Sequence, residues 1–202
     1  ATSATLGYAP PGHAPFRGSI CTSVNNVVCH GIPSSSRILR NGDIINIDVS
    51  PILEGYYGDT SRTFCVGHVS ETAQKLVEVA QESMMRGISQ IKPGARLGDI
   101  GAAVEGYAES NGFSIVRDMV GHGIGREFHM EPQVLHYCKR GTGLKRRPGM
   151  VFTVEPILNE GSSKIKLLAD GWTILTKDKK LSAQFEHTVA ITEEGSEILT
   201  VS

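Results

Sequence analysis

Residues 44–49 (IINIDV) alternate apolar and polar side chains after the Asn41-Gly42-Asp43 turn, a period of two that predicts a strand. A second strand is expected over residues 58–66, with Leu53-Glu54-Gly55 as the turn of a β-hairpin between them. From Ser70 the period lengthens. Ala73, Leu76, Val77, Ala80, Met84 and Ile88 share one helical face, and Lys92-Pro93-Gly94 stops the run. Leu97, Ile100, Val104, Tyr107 and Ala108 mark a second helix, which Asn111-Gly112 ends. Strand-like patterns return over residues 113–120, 149–158, 172–176 and 186–192, the last running toward Ile198-Leu199. Residues 7–18 (GYAPPGHAPFRG) are dense in Pro and Gly and read as a loop. Strand blocks around a central helix pair predict an α+β fold rather than alternating βαβ units.

The pattern also echoes itself. Residues 42–53 read GDIINIDVSPIL and residues 149–158 read GMVFTVEPIL. In each, a turn glycine opens an apolar strand that carries an acid, Asp48 or Glu155, with Pro-Ile-Leu close behind. Chance likeness between short strands is one account. Read as an internal repeat, the echo implies two related halves that each present a carboxylate at a shared centre.

Composition narrows the class without naming it. The 202 residues carry 20 Lys+Arg against 21 Asp+Glu, and 40% are hydrophobic, which fits one domain or two small ones and excludes a disordered chain. No apolar run is long enough for a transmembrane helix, and the near-neutral balance gives no electrostatic reason to expect DNA or a membrane surface as partner. Glycine is high, 23 residues against an average use of about 7%, which points to many turns and close backbone approaches. Cys21, Cys29, Cys65 and Cys138 form no C-x-x-C pair and are expected to be reduced cytosolic thiols. The first eight residues show neither a basic nor an apolar signal region. Lys139, Arg140, Lys145, Arg146 and Arg147 form a basic cluster, expected to be a solvated Gly-rich loop rather than an RNA contact.

Four acids stand out because their neighbours are apolar or because they face one another. Asp48 and Asp59 lie across the expected hairpin, and two carboxylates on one face of adjacent strands repel unless a cation lies between them. Glu155 (VFTVEPIL) and Glu186 (AQFEHTVAI) are embedded in apolar strands. Such a set suits a hard-cation site built from oxygen ligands. His122 lies in GHGIG, whose glycines let an imidazole approach a centre closely, and His129 and His30 are further candidates. Asp59-Thr60-Ser61 departs from an aspartic-peptidase Asp-Thr-Gly turn and has no second copy.

With these residues assembled, the chain resembles the type I methionine aminopeptidases of the pita-bread metallopeptidase fold. The resemblance rests on CTSVNNVVCHGIP (residues 21–33), NGDIINIDV and GDTSRTF (within 41–64), GHGIGREFH (121–129), FTVEPIL (152–158) and SAQFEHT (182–188). It implies a single domain over residues 1–202, a pseudo-two-fold curved antiparallel sheet covered by helix pairs, without the helical extension usual ahead of Leu6. It implies two divalent ions (Co²⁺, Mn²⁺, Fe²⁺ or Zn²⁺), with Asp59 and Glu186 bridging, Asp48 on one metal, and His122 and Glu155 on the other. Glu155 would move the proton of the attacking water, His129 would donate to the oxyanion, and His30 would contact the substrate backbone. Cys21, Phe128 and Trp172 match the methionine pocket. A Na⁺ or K⁺ site would fall at Asn25, Val27 and Ser182. The long 7–19 loop replaces a tyrosine-bearing rim of that pocket, with Tyr8 and Phe16 as substitutes. The implied activity is removal of N-terminal methionine from nascent cytoplasmic proteins with a small second residue, by a monomer that touches the ribosome transiently. The competing readings are a prolidase-like aminopeptidase and a catalytically dead binding module; the intact set of five ligands argues against the second.

Overall fold

The computed structural model describes residues 1–92 and 94–201. Its centre is a curled antiparallel sheet whose strands run in the spatial order Met130–Val134, Gly121–Gly123, Val151–Val154, Glu186–Ile191, Thr60–Cys65, Ile44–Val49 and Cys21–Val24. Ser196–Ile198 pairs with the Glu186–Ile191 strand as a side branch.

The echo in the sequence becomes a symmetry of this sheet. Gly42 and Gly149 both adopt left-handed φ, 99° and 86°, which an L side chain rarely takes. Each donates its N–H to the far end of the partner strand, Gly42 to Val66 and Gly149 to Ile191, both at 2.9 Å. The two strands that follow, Ile44–Val49 and Val151–Val154, flank the two partner strands, which pair with each other at the centre of the sheet. Asp48 and Glu155 therefore approach that centre from opposite sides.

Among the described residues there is one helix pair. α1 (Glu71–Ser89) begins where Ser70 accepts the Ala73 N–H at 3.2 Å. Ala73, Leu76, Val77, Ala80, Met84 and Ile88 are all buried, as their spacing predicts. α2 (Leu97–Ser110) buries Leu97, Ile100, Val104 and Ala108, and leaves Tyr107 half-buried. The helices pack tightly because Gly87 has no side chain: a Cβ there would lie 2.7 Å from Val104 Cγ2. Together with Phe152, Val154, Leu158 and Val189 of the strands, these side chains form the main core. Each fully buried Leu, Val, Ile or Met contributes about 1.5–3 kcal/mol. Pro93, the expected helix stop, lies outside the described residues, and α1 ends at Ser89 with Gln90 as its cap.

Several boundaries differ from those the pattern predicts. The expected strand 113–120 is only Ser114–Ile115, and residues 172–176 yield Ile174–Thr176. The hairpin arm expected from residue 58 starts at Thr60, and two short strands, Pro51–Leu53 and Tyr56–Tyr57, form its tip. Residues 149–158 are two strands, Val151–Val154 and Ile157–Asn159, in different sheets. Pro156 has no N–H to continue a ladder, so the chain changes sheets there. Cys21–Val24, Met130–Val134 and Ser182–Gln184 are strands too short to show a period of their own. Of the basic cluster, Arg146 is buried rather than solvated: Nη2 donates to the Gln90 carbonyl at 2.6 Å, with Asp99 3.7 Å away. All four cysteines are free. No helix is long and apolar enough to cross a membrane among the described residues.

Candidate active site

One row of residues crosses the central sheet. Cys21 pairs with Asp48, Asp48 with Ser61, and Ser61 with Glu186, so all four share a face. Asp59 lies two residues before Ser61 and Ser50 two after Asp48, on that same face, and Ser50 Oγ donates to Asp59 Oδ1 at 2.8 Å. On the other side Val154 pairs with His187, so the register sets Glu155 beside Glu186. The Gly121–Gly123 strand brings His122 to the same point. A Cβ on Gly121 or Gly123 would run into the carbonyls of Thr153 or Glu131, so only glycine allows this strand so close to its neighbours.

The electrostatics of the cluster call for a cation. His122 Nδ1 is 3.1 Å from the Gly123 carbonyl, which only accepts, so this nitrogen carries the proton. Nε2 then presents a lone pair, 3.8 Å from Asp59 Oδ2 and 3.6 Å from Glu155 Oε1. Burial holds the His122 pKa below its ordinary value, so the ring does not supply the missing positive charge. Asp59, His122 and Glu186 each offer a ligand atom within 4.8 Å of the others. Asp48 Oδ1 is buried with no hydrogen-bond partner. Among the described residues no Lys or Arg pairs with any of the four acids. Burial pushes Asp48 up to about 6 and Glu155 up to about 8. Asp59 and Glu186 rise well above the carboxylate range, first through burial and then through the neighbouring carboxylates. Four carboxylates and an imidazole lone pair facing one point fit a divalent-metal site and are costly without one.

Three groups hold Glu155 in place. Thr153 Oγ1 donates to Oε1 at 2.7 Å and also accepts the His122 N–H at 3.0 Å. Gln184 Nε2 reaches Oε2 at 3.4 Å, and the Glu155 backbone N–H donates to His136 Nε2 at 3.0 Å. The sequence reading missed all three. Thr153 had a legible signal, since it lies two residues before Glu155 on one strand face; His136 and Gln184 had none.

Above the cluster opens a cavity of about 480 Å³ whose lining includes Cys21, His30, Phe128, His129 and Trp172. Phe128 stacks on Tyr57 with ring centroids 5.7 Å apart. His129 lies 4.3 Å from the His122 ring, and Tyr8 Oη is 3.0 Å from its Nδ1. Burial and the neighbouring His122 and His30 lower the His129 pKa to about 4. His30 takes φ 53°, in a turn where a Cβ on the next residue, Gly31, would strike the Thr22 carbonyl, and its ring faces Trp172 at 6.2 Å. Burial and the cluster acids push the Cys21 thiol well up, so it stays protonated as a soft wall.

The 7–19 loop forms the opposite rim. Gly7 and Phe16 bond backbone to backbone, as do Phe16 and Tyr8, which pinches the loop shut. Trp172 Nε1 donates to the Ala14 carbonyl at 2.8 Å, and Phe16 is buried edge-on against the indole. Tyr8 and Phe16 both line the cavity. Asn25 and Ser182 are joined by a 2.9 Å bond from the Ser182 N–H to the Asn25 carbonyl, and the strand of Val27 lies against that of Ser182.

A carboxylate–imidazole centre at the middle of a pseudo-symmetric antiparallel sheet, beneath a mostly apolar pocket, defines a hydrolase site of the metallopeptidase class. The model of metallopeptidase family M24 matches residues 6–193, and the chain belongs to that family. It is 72% identical over 202 residues to methionine aminopeptidase B of Synechocystis sp., covering 100% of this chain and 74% of that protein. The crystal structure of methionine aminopeptidase from Rickettsia prowazekii superposes with a TM-score of 0.90 at 55% identity, over 92% of this chain and 75% of that one. The corresponding structure from Thermotoga maritima gives 0.93 at 41% identity, over 98% and 79%.

Proposed function

We propose that this chain is a metal-dependent aminopeptidase that hydrolyses the first peptide bond of proteins and peptides, releasing N-terminal methionine ahead of a small second residue. The observation that carries this reading is the grouping of Asp59, His122 and Glu186 within metal-ligating distance, with Asp48 and Glu155 lining the same cavity of soft and aromatic walls. These five side chains would hold two divalent ions, Co²⁺, Mn²⁺, Fe²⁺ or Zn²⁺, which when bound supply Lewis acidity and lower the pKa of water toward neutrality.

The remaining work falls to the chain. Cys21, Phe128 and Trp172 surround an unbranched thioether side chain, which adapts to such a surface. A methionine side chain held by this wall would fix which peptide bond lies over the carboxylates. Glu155, held by Thr153 and Gln184, would be ionised beside bound cations, and as the carboxylate it would take a proton from the attacking water and return it to the leaving amine. His129 is neutral, and with Tyr8 donating to Nδ1 its Nε2–H is free to donate to the developing oxyanion. His30, on the Trp172 side of the cavity, reads the substrate backbone beside the cleaved bond.

The substrates on this reading are nascent polypeptides in the cytoplasm, met in transient contact with the ribosome by a monomeric enzyme. A Na⁺ or K⁺ ion at Asn25, Val27 and Ser182 would tie the two strands beside the pocket together. The test is release of methionine from Met-Ala-Ser but not from Met-Lys-Ser, by folded protein supplied with Mn²⁺, Co²⁺ or Fe²⁺. No turnover under any of these conditions overturns the enzyme reading.

A further inference from the structure

We propose that His136 is a positioning residue for Glu155: its Nε2 accepts the Glu155 backbone N–H and holds the crossing between sheets that aims this carboxylate into the cavity. The inference rests on the proposed role of Glu155 and adds a residue that supplies no ligand to the cluster and does not itself line the cavity.

The need for an outside acceptor follows from the chain path. Up to Val154 the strand lies in the ladder with Glu186–Ile191, Val154 opposite His187. From Ile157 it belongs to another sheet, where Ile157 pairs with Gln184 and Leu158 with Ile115. Glu155 and Pro156 make the crossing. Pro156 has no N–H to donate, so Glu155 carries the only backbone donor of the crossing. That donor goes to His136 Nε2, 3.0 Å away and nineteen residues earlier in the chain.

His136 is 1% exposed, so water cannot stand in for it, and a buried unpaired N–H would drive the backbone to rotate. An Nε2 that accepts fixes the proton on Nδ1 and the ring in one neutral tautomer. Thr153 and Gln184 orient the carboxylate about its own bonds, whereas His136 sets the direction in which the side chain leaves the backbone. Residues that orient a ligating side chain in this way typically change affinity or activity tenfold or more when removed.

The direct test is the scalar coupling between the Glu155 amide nitrogen and His136 Nε2 in isotope-labelled wild-type protein. The coupling is expected, and its absence overturns the proposal. The functional test compares His136→Leu, which removes the acceptor, with His136→Gln, whose amide oxygen supplies one. Mn²⁺ affinity and kcat for Met-Ala-Ser are each expected to fall about tenfold in His136→Leu, with KM little changed, and to recover largely in His136→Gln. If His136→Leu does not fold, His136→Met takes its place. Equal losses in both kinds of variant, or a folded acceptor-free variant with wild-type Mn²⁺ affinity, overturn the positioning role. A wild-type protein that binds Mn²⁺ but releases no methionine contradicts the proposed function instead, while the coupling and the Mn²⁺ affinities still decide the role of His136.

Discussion

Ser50 donates to one oxygen of Asp59 and leaves the other, Oδ2, facing His122. The acid is thereby held with one oxygen anchored and one presented, the arrangement expected of a ligand rather than of a solvated turn residue. Asp59→Ala should lower methionine release at least about a hundredfold and reduce bound Mn²⁺, measured by peptide assay and metal analysis on the same folded sample. A variant that stays mostly active would mean that the cluster is not the catalytic centre. Trp172 makes a different contribution, as a pocket wall and as the donor that holds Ala14 of the rim. Trp172→Ala should cost about 10- to 100-fold in kcat/KM for Met-Ala-Ser, mostly through KM. A loss confined to kcat would argue against a binding wall. At this scale the acids and histidines were legible because each breaks an apolar or Gly-rich context, as Asp48 does between Ile47 and Val49. Thr153, Gln184 and His136 were not, since a buried threonine, glutamine or histidine far along the chain looks the same whether or not it supports a ligand.

The helices were the most legible elements. Their period has one partner face, and every apolar position named on α1 is buried. What the period leaves out is how close the pair comes. Gly87 decides that, and Gly87→Val should destabilise the protein by about 1–3 kcal/mol, read as a lowered midpoint in urea, because the added carbons meet Val104 and Ile100. An unchanged midpoint would show that the helices can separate without cost. Ser70→Ala removes the α1 cap and should cost about 1 kcal/mol by the same measurement. Among the strands, the six-residue Ile44–Val49 was placed to the residue, whereas the shorter ones, such as Ser114–Ile115 and Ile174–Thr176, were located only within longer expected runs. The residues 149–158 looked like one strand because Val151, Phe152, Val154, Ile157 and Leu158 are apolar on both sides of Glu155; Pro156 marks a break in the ladder, but nothing local reveals that the two halves enter different sheets.

For the molecule as a whole, the four carboxylates tie stability to metal and to pH. Asp48 near 6 and Glu155 near 8 both sit above the ordinary carboxylate range, so the metal-free folded state keeps protons that the unfolded chain has released. Their contribution is fully present below the unfolded values, about pH 4, and is lost as pH rises through about 6 and then about 8. Above about pH 7, where the buried histidines are neutral in both states, chelator-treated protein should therefore melt at progressively lower temperature up to about pH 8.5, and added Mn²⁺ should recover most at the upper end, where the ligands are ionised. A melting temperature that is flat or rising over this range without metal would contradict the burial of the cluster. The same acids that make the apo protein acid-preferring make the loaded one tolerant of neutral pH.

The sequence by itself determined the chemistry of the donors, the two helical faces and the echo that places Asp48 and Glu155 in equivalent strands, because residue type and period are local properties. Only the tertiary structure decided that Thr60–Cys65 pairs with Glu186–Ile191, and this pairing joins the halves of the central sheet and brings Asp59 to Glu186. It also decided that His122 turns a lone pair toward two acids and that the 7–19 loop closes over Trp172. The physical reason is range. A strand's partner is chosen by which faces must be buried together, a property of the whole fold, and the charge that four buried acids share exists only once that choice is made.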